Sequence, residues 1–140
     1  MPYFLTIIFS QLALLAIWST ACLVRYARVW QVKPIHHYGR VTWVWAVLNL
    51  VLAAIGWVYL CAVANTASPA DLLAEQLRNY GYASMLDIVF LLSAAAIWLR
   101  SKYAKRPEVL LQVAKAIALQ SAVLLVLDGI TYYLLFNTVY

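Results

Sequence analysis

The sequence predicts an all-α integral membrane protein, a bundle of four transmembrane helices with both termini on the outer side. Three observations carry this. Of 140 residues, 66% are hydrophobic and 11% charged, against about 45–50% and about 25% in soluble domains. Four stretches reach the roughly 20 mostly apolar residues that a spanning helix needs. Nine of the ten basic residues fall on one side of those stretches. The chain is one domain over residues 1–140, because four spans leave no room for a separate soluble unit.

Span 1 runs over 3–24 and carries no charged side chain. It lacks a basic leader, is long, and is followed by a basic segment, so it reads as a retained span rather than a signal peptide. Span 2, over 41–64, is also uncharged. Span 3, over 80–99, contains Asp87, and span 4, over 114–136, contains Asp128. Before span 3, Ser68-Pro69 followed by Asp71 has the signature of a helix start. That predicts a separate short surface helix from about Pro69 to Arg78, with Leu72, Leu73 and Leu77 on the membrane surface or covering the bundle.

The loops orient the spans. Arg25, Arg28, Lys33 and Arg40 lie between spans 1 and 2. Arg100, Lys102, Lys105 and Arg106 lie between spans 3 and 4, with Lys115 just inside span 4. The outer loop holds Arg78 alone, with Asp71 and Glu75. The positive-inside rule places the basic loops in the cytoplasm, and a bacterial cytoplasmic membrane is the expected location. The same residues meet anionic lipid headgroups. That accounts for the net charge of +5 without nucleic acid, which is not expected as a partner. Aromatic residues gather at both interfaces, with Tyr59, Tyr80, Tyr82 and Tyr133 outside and Trp18, Trp30, Trp43 and Trp98 inside, where amphipathic rings anchor.

The halves echo each other. Ala16-Ile17-Trp18 matches Ala96-Ile97-Trp98, Arg25-Tyr26-Ala27-Arg28 matches Lys102-Tyr103-Ala104-Lys105, and Leu50-Val51-Leu52 matches Leu125-Val126-Leu127. A tandem duplication of a two-helix hairpin would give these echoes, with the repeat axis along the membrane normal.

Asp87 and Asp128 are the residues most able to carry chemistry. A carboxylate in the bilayer core costs about 2.5–3.5 kcal/mol even on lenient scales, so such groups face the bundle interior and have partners. Both lie about 10–12 Å below the outer surface by helix rise, on neighbouring antiparallel spans. Ser84 is one turn before Asp87. Thr131 is one turn after Asp128, and Ser121 shares its face, so these hydroxyls are candidate donors. Ala83, Ala94, Ala95, Ala114 and Ala118 permit close helix approach. Span 1 brings Ser10 and Gln11 to similar depth, span 2 brings Gly56, and Asn49 lies nearer the cytoplasm. Two nearby carboxylates in low dielectric cannot both ionise freely, which suits the binding of protons or of cations that compete with them. The competing reading is a hydrogen-bonded packing role, or a pairing with another subunit.

Cys22 and Cys61 belong to opposite ends of their spans, too far apart for a disulfide. His36 and His37 sit in the first basic loop as interfacial residues. No His lies within a span, so neither a transmembrane haem nor a metal is expected, and the sequence does not identify any other cofactor.

Three function classes remain. The first is an accessory or structural subunit of a larger membrane complex, favoured by the absence of nucleotide, redox and catalytic signatures. The second is a homo-oligomeric transporter or channel linked to protons or cations through Asp87 and Asp128. The third, an intramembrane aspartyl hydrolase, is the remotest. Met85-Leu86-Asp87-Ile88 and Leu127-Asp128-Gly129-Ile130 lack the glycine-rich motif of presenilin-type proteases and the Asn-rich motifs of lipoprotein signal peptidases. An enzyme is the weaker expectation, and the partners expected are lipid and a membrane protein or further copies of the chain.

Overall fold

A computed structural model of the chain describes residues 2–31 and 36–139. Among these are four α-helices and no strand: α1 Tyr3–Arg25, α2 His37–Val63, α3 Pro69–Ser101 and α4 Pro107–Val139. All four are long and apolar enough to cross a membrane. By composition this is an integral membrane protein with several spans.

The helices of the second half begin where backbone chemistry allows, not where hydrophobicity rises. Their apolar runs start near residues 80 and 114, yet α3 starts at Pro69 and α4 at Pro107. A proline without an N–H is free to occupy the first turn and cannot be passed from upstream. Between Pro69 and the apolar run nothing interrupts the ladder. The separate surface helix expected at Pro69–Arg78 is therefore the first part of α3, a continuous rod of 33 residues. Leu72, Gln76 and Tyr80, four residues apart, form its buried stripe and cover the end of the bundle opposite the basic loops. Ser68 holds the N-cap position but makes no side-chain cap bond. His36, expected in a loop, is the cap of α2, with its Nδ1 accepting from Gly39 N at 2.9 Å, and His37 is the first residue of that helix. Lys33 and Pro34 lie outside the described residues.

The helices alternate in direction. α3 packs most closely on α4, and α1 on α2, while α4 also touches α1 and α2. The backbones of α2 and α3 do not pack comparably. Side chains bridge them instead, with Tyr59 donating to Glu75 Oε1 at 2.8 Å and Trp45 meeting Phe90 edge to face at 5.1 Å. The half of the interior away from the basic loops holds the apolar core, built on Phe4, Leu5, Ile8 and Leu12 of α1 against Leu60, Leu72 and Leu135. The half nearer the basic loops is lined by small and polar residues, including Ala46, Ala114, Ala116, Ser19, Thr42 and Gln120.

The turn after α1 folds back on the start of α2, where Tyr26 stacks on His36 at 6.1 Å between ring centroids. A Cβ on Gly39 would collide with His36 Nδ1 and lie 2.5 Å from Val29 and 2.9 Å from Tyr26. Gly39→Ala is expected to cost about 1–3 kcal/mol, the usual range for overpacking, read as a lower unfolding temperature in detergent. Gly129→Ala is the control. Its Cβ would meet nothing within 4 Å, and alanine is the better helix former, so that variant should be no less stable than the parent.

Candidate functional site

The bundle brings together a carboxyl pair and the groups that hold it. Asp87 enters from α3 and Asp128 from α4, 4% and 7% exposed, with their carboxyls within hydrogen-bonding reach of each other. Gln11 of α1 donates from Nε2 to Asp128 Oδ1 at 3.0 Å. Tyr80 of α3 donates its hydroxyl to Gln11 Oε1 at 2.9 Å. The Gln11 amide is thereby fixed in orientation: its oxygen takes the tyrosine proton and its nitrogen faces the carboxyl. Three helices are thus linked through one buried network of Gln11, Tyr80 and the carboxyl pair. Among the described residues, Asp87 Oδ2 has no hydrogen-bond partner.

These groups lie on the wall of a cleft of ≈ 580 Å³ between α2 and α3. Trp45, Asn49 and Leu52 line it from α2, and Ala83, Leu86 and Phe90 from α3, while Gln11, Leu12 and Asp128 close its base. Asn49 is 4% exposed, and its Nδ2 has no partner among the described residues. Among the described residues, no Lys, Arg or His lines this cleft.

The remaining candidates are placed differently. Thr131 donates to Leu127 O of its own helix at 2.7 Å, the bond a helical threonine makes to the preceding turn. Ser10 is exposed and bonds to Thr6 O at 2.7 Å for the same reason. Ser84 and Ser121 have buried hydroxyls without a partner among the described residues, so neither donates to the carboxyls. Of the basic residues, Arg25, Arg28, Arg100, Lys102, Lys105 and Arg106 are exposed at one end of the bundle. Arg40 is half-buried there, with its guanidinium 4.8 Å from the Trp30 ring centroid and its Nε donating to Val29 O at 3.4 Å.

Sequence reasoning missed Tyr80 by counting it among the interfacial aromatics, and missed a second network altogether. Gln120 is wholly buried. It accepts from Trp18 Nε1 at 3.0 Å and faces Cys22 Sγ with its Nε2 at 3.6 Å. Trp18, too, reads as an anchor from composition alone. A signal was present: Gln11 and Trp18, Thr42 and Asn49, Ser121 and Asp128 are each seven residues apart, the spacing that keeps side chains on one inward face.

Comparison with curated proteins and with solved structures gives no match. The profile of a family of unknown function, DUF6992, matches residues 14–129, which include Tyr80, Asp87, Gln120 and Asp128. The chain belongs to the DUF6992 family.

Proposed function

We propose that this protein is a small proton-linked membrane transporter whose working group is the carboxyl pair Asp87–Asp128. The observation that carries the reading is the contact between these two acids inside one chain, with Gln11 holding one of them. Like charges in contact cannot both ionise, so such a pair shares one proton. A shared proton can be given up and regained as the surroundings change, which is what coupling requires. Aspartyl hydrolysis would use the same pair, but the glycine-rich motif of presenilin-type proteases is missing, since Met85-Leu86 precedes Asp87 here.

In the accessory-subunit reading the acids await a partner's Arg or Lys. Both are buried against their own chain, which favours transport. Assembly as a homo-oligomer, or with a membrane partner, is part of the proposal, because four helices enclose little space. The basic end, with Arg25, Arg28, Arg40, Arg100, Lys102, Lys105 and Arg106, is cytoplasmic in this reading, and both termini are outside. The two hairpins, α1–α2 and α3–α4, descend from a duplication, as their echoed motifs suggest.

The test is proton movement in liposomes that carry the purified chain and a trapped pH-sensitive dye. An imposed pH gradient should collapse faster than in empty vesicles. Asp87→Asn should lower that excess rate at least about tenfold, the loss expected when a positioned acid–base group is removed, without loss of the folded protein. Unchanged flux in Asp87→Asn and in Asp128→Asn would overturn the proposal. Loss of the protein's assembly state, seen by native mass spectrometry, together with unchanged flux would return the case to the accessory reading.

A further inference from the structure

The cleft that holds the acid pair identifies the kind of molecule the pair serves. Its volume of ≈ 580 Å³ is in the range of small-molecule sites, about 300–1,000 Å³. Its mouth is flanked by Leu48 and Leu52 of α2 and Leu86 of α3, which are 56%, 61% and 53% exposed. These three lie in the middle of apolar helices, so the mouth opens towards acyl chains and not towards water. A molecule that enters there must first dissolve in the bilayer.

The base selects charge. Asp87 Oδ2 lacks a partner among the described residues, and so does Asn49 Nδ2 in the same cleft. Both residues are more than nine-tenths buried. The polar groups facing this space are Gln11 from α1, Asn49 from α2, Tyr80 and Asp87 from α3, and Asp128 from α4. Among the described residues, no basic side chain in the lining offsets the acids. An inorganic cation such as Ca²⁺ takes about six to eight oxygen ligands, and the walls here are largely carbon. Trp45, Phe90 and Tyr80 instead offer ring surfaces, which attract organic cations.

We infer that the α2–α3 cleft binds a lipophilic organic cation that enters sideways from the bilayer and exchanges with the proton of the Asp87–Asp128 pair. The inference rests on the proton-linked reading above and names its substrate class. The exchange balances. Before it, the pair holds one proton and carries a single negative charge. The cation enters and the proton leaves, so the doubly ionised pair faces one positive charge. The cleft therefore carries a single net negative charge before and after.

The probe is tetraphenylphosphonium, titrated into the full chain in nanodiscs and followed by tryptophan fluorescence. Saturable binding is expected, with release of about one proton per cation into weakly buffered medium. Asp87→Asn and Asp128→Asn should each weaken binding at least about tenfold. Triphenylphosphine oxide, aromatic but neutral, should not compete. Leu86→Trp should block the mouth and abolish binding. In parallel, infrared spectroscopy without the cation reads the carboxylic-acid carbonyl band of the pair. If tetraphenylphosphonium binds equally to the parent and to Asp87→Asn, or if the neutral compound competes equally, the cleft is an apolar hollow and the inference fails. If no cation binds but the band is present and is lost in Asp128→Asn, the inference fails while the proton-linked reading stands. If the parent shows no band, both fail.

Discussion

Asp128→Leu is expected to destabilise the bundle by on the order of 3 kcal/mol, while Asp128→Asn is expected to cost less than about 1 kcal/mol. The asymmetry follows from what each replacement leaves behind. The asparagine amide keeps an oxygen for Gln11 Nε2, which in the parent donates to Asp128 Oδ1 at 3.0 Å, and adds an N–H that donates to Asp87. It reproduces the singly protonated pair in shape, hydrogen bonds and net charge. The leucine side chain keeps none of this. The Gln11 amide is stranded, Asp87 loses its neighbour, and Tyr80 is left bonded to a glutamine that nothing else holds. Stranding a buried polar group costs about 1–3 kcal/mol, more than the bond itself contributes. Unfolding in detergent, with both variants in parallel, reads the difference. Equal losses would mean that the two carboxyls are not hydrogen-bonded to each other. A neutral Asp128→Leu would mean that Gln11 does not depend on Asp128.

The acids were legible because a carboxylate in an apolar run is costly enough to require an explanation by itself, and their shared depth follows from counting residues along two antiparallel helices. What joined them was harder to read. Gln11 is uncharged and sits among aliphatic residues, so only its height on α1 pointed to the pair. Tyr80 has the composition of an interfacial anchor, and its role depends on α3 running unbroken from Pro69, which carries Tyr80 inward over α1. The hydroxyls of Ser84 and Thr131 looked better placed on a helical wheel. A wheel gives the face but not the competitor, and a helical threonine always has the carbonyl four residues back within reach. The helix start at Pro69 was legible, and its continuity with the span was not. Hydropathy marks where lipid begins, whereas Pro69 and Pro107 mark where the hydrogen-bond ladder begins. The cleft was not legible, since it depends on α2 and α3 standing apart while each packs on another neighbour.

Gln120→Leu is the second substitution expected to have a large effect, and it probes the network that sequence reasoning overlooked. Gln120 lies eight residues before Asp128 on α4, about 12 Å nearer the basic end. It is wholly enclosed and connects α4 to α1 through Trp18 and Cys22. Leucine is similar in bulk, so packing changes little and the cost isolates the hydrogen bonds. The indole N–H of Trp18 is then stranded, for about 1–3 kcal/mol. That is above the roughly 0.6 kcal/mol typical of single interhelical bonds in membranes, because the leucine leaves the part-buried indole N–H against carbon in place of its acceptor. The sharper measurement is the double variant. Trp18→Phe removes the stranded N–H, so Trp18→Phe with Gln120→Leu should be more stable than Gln120→Leu alone, though it carries one more substitution. If the losses simply add, the bond at 3.0 Å contributes nothing, and the half of the bundle nearer the basic loops is held by its small residues, Ala46, Ala114 and Ala116, alone.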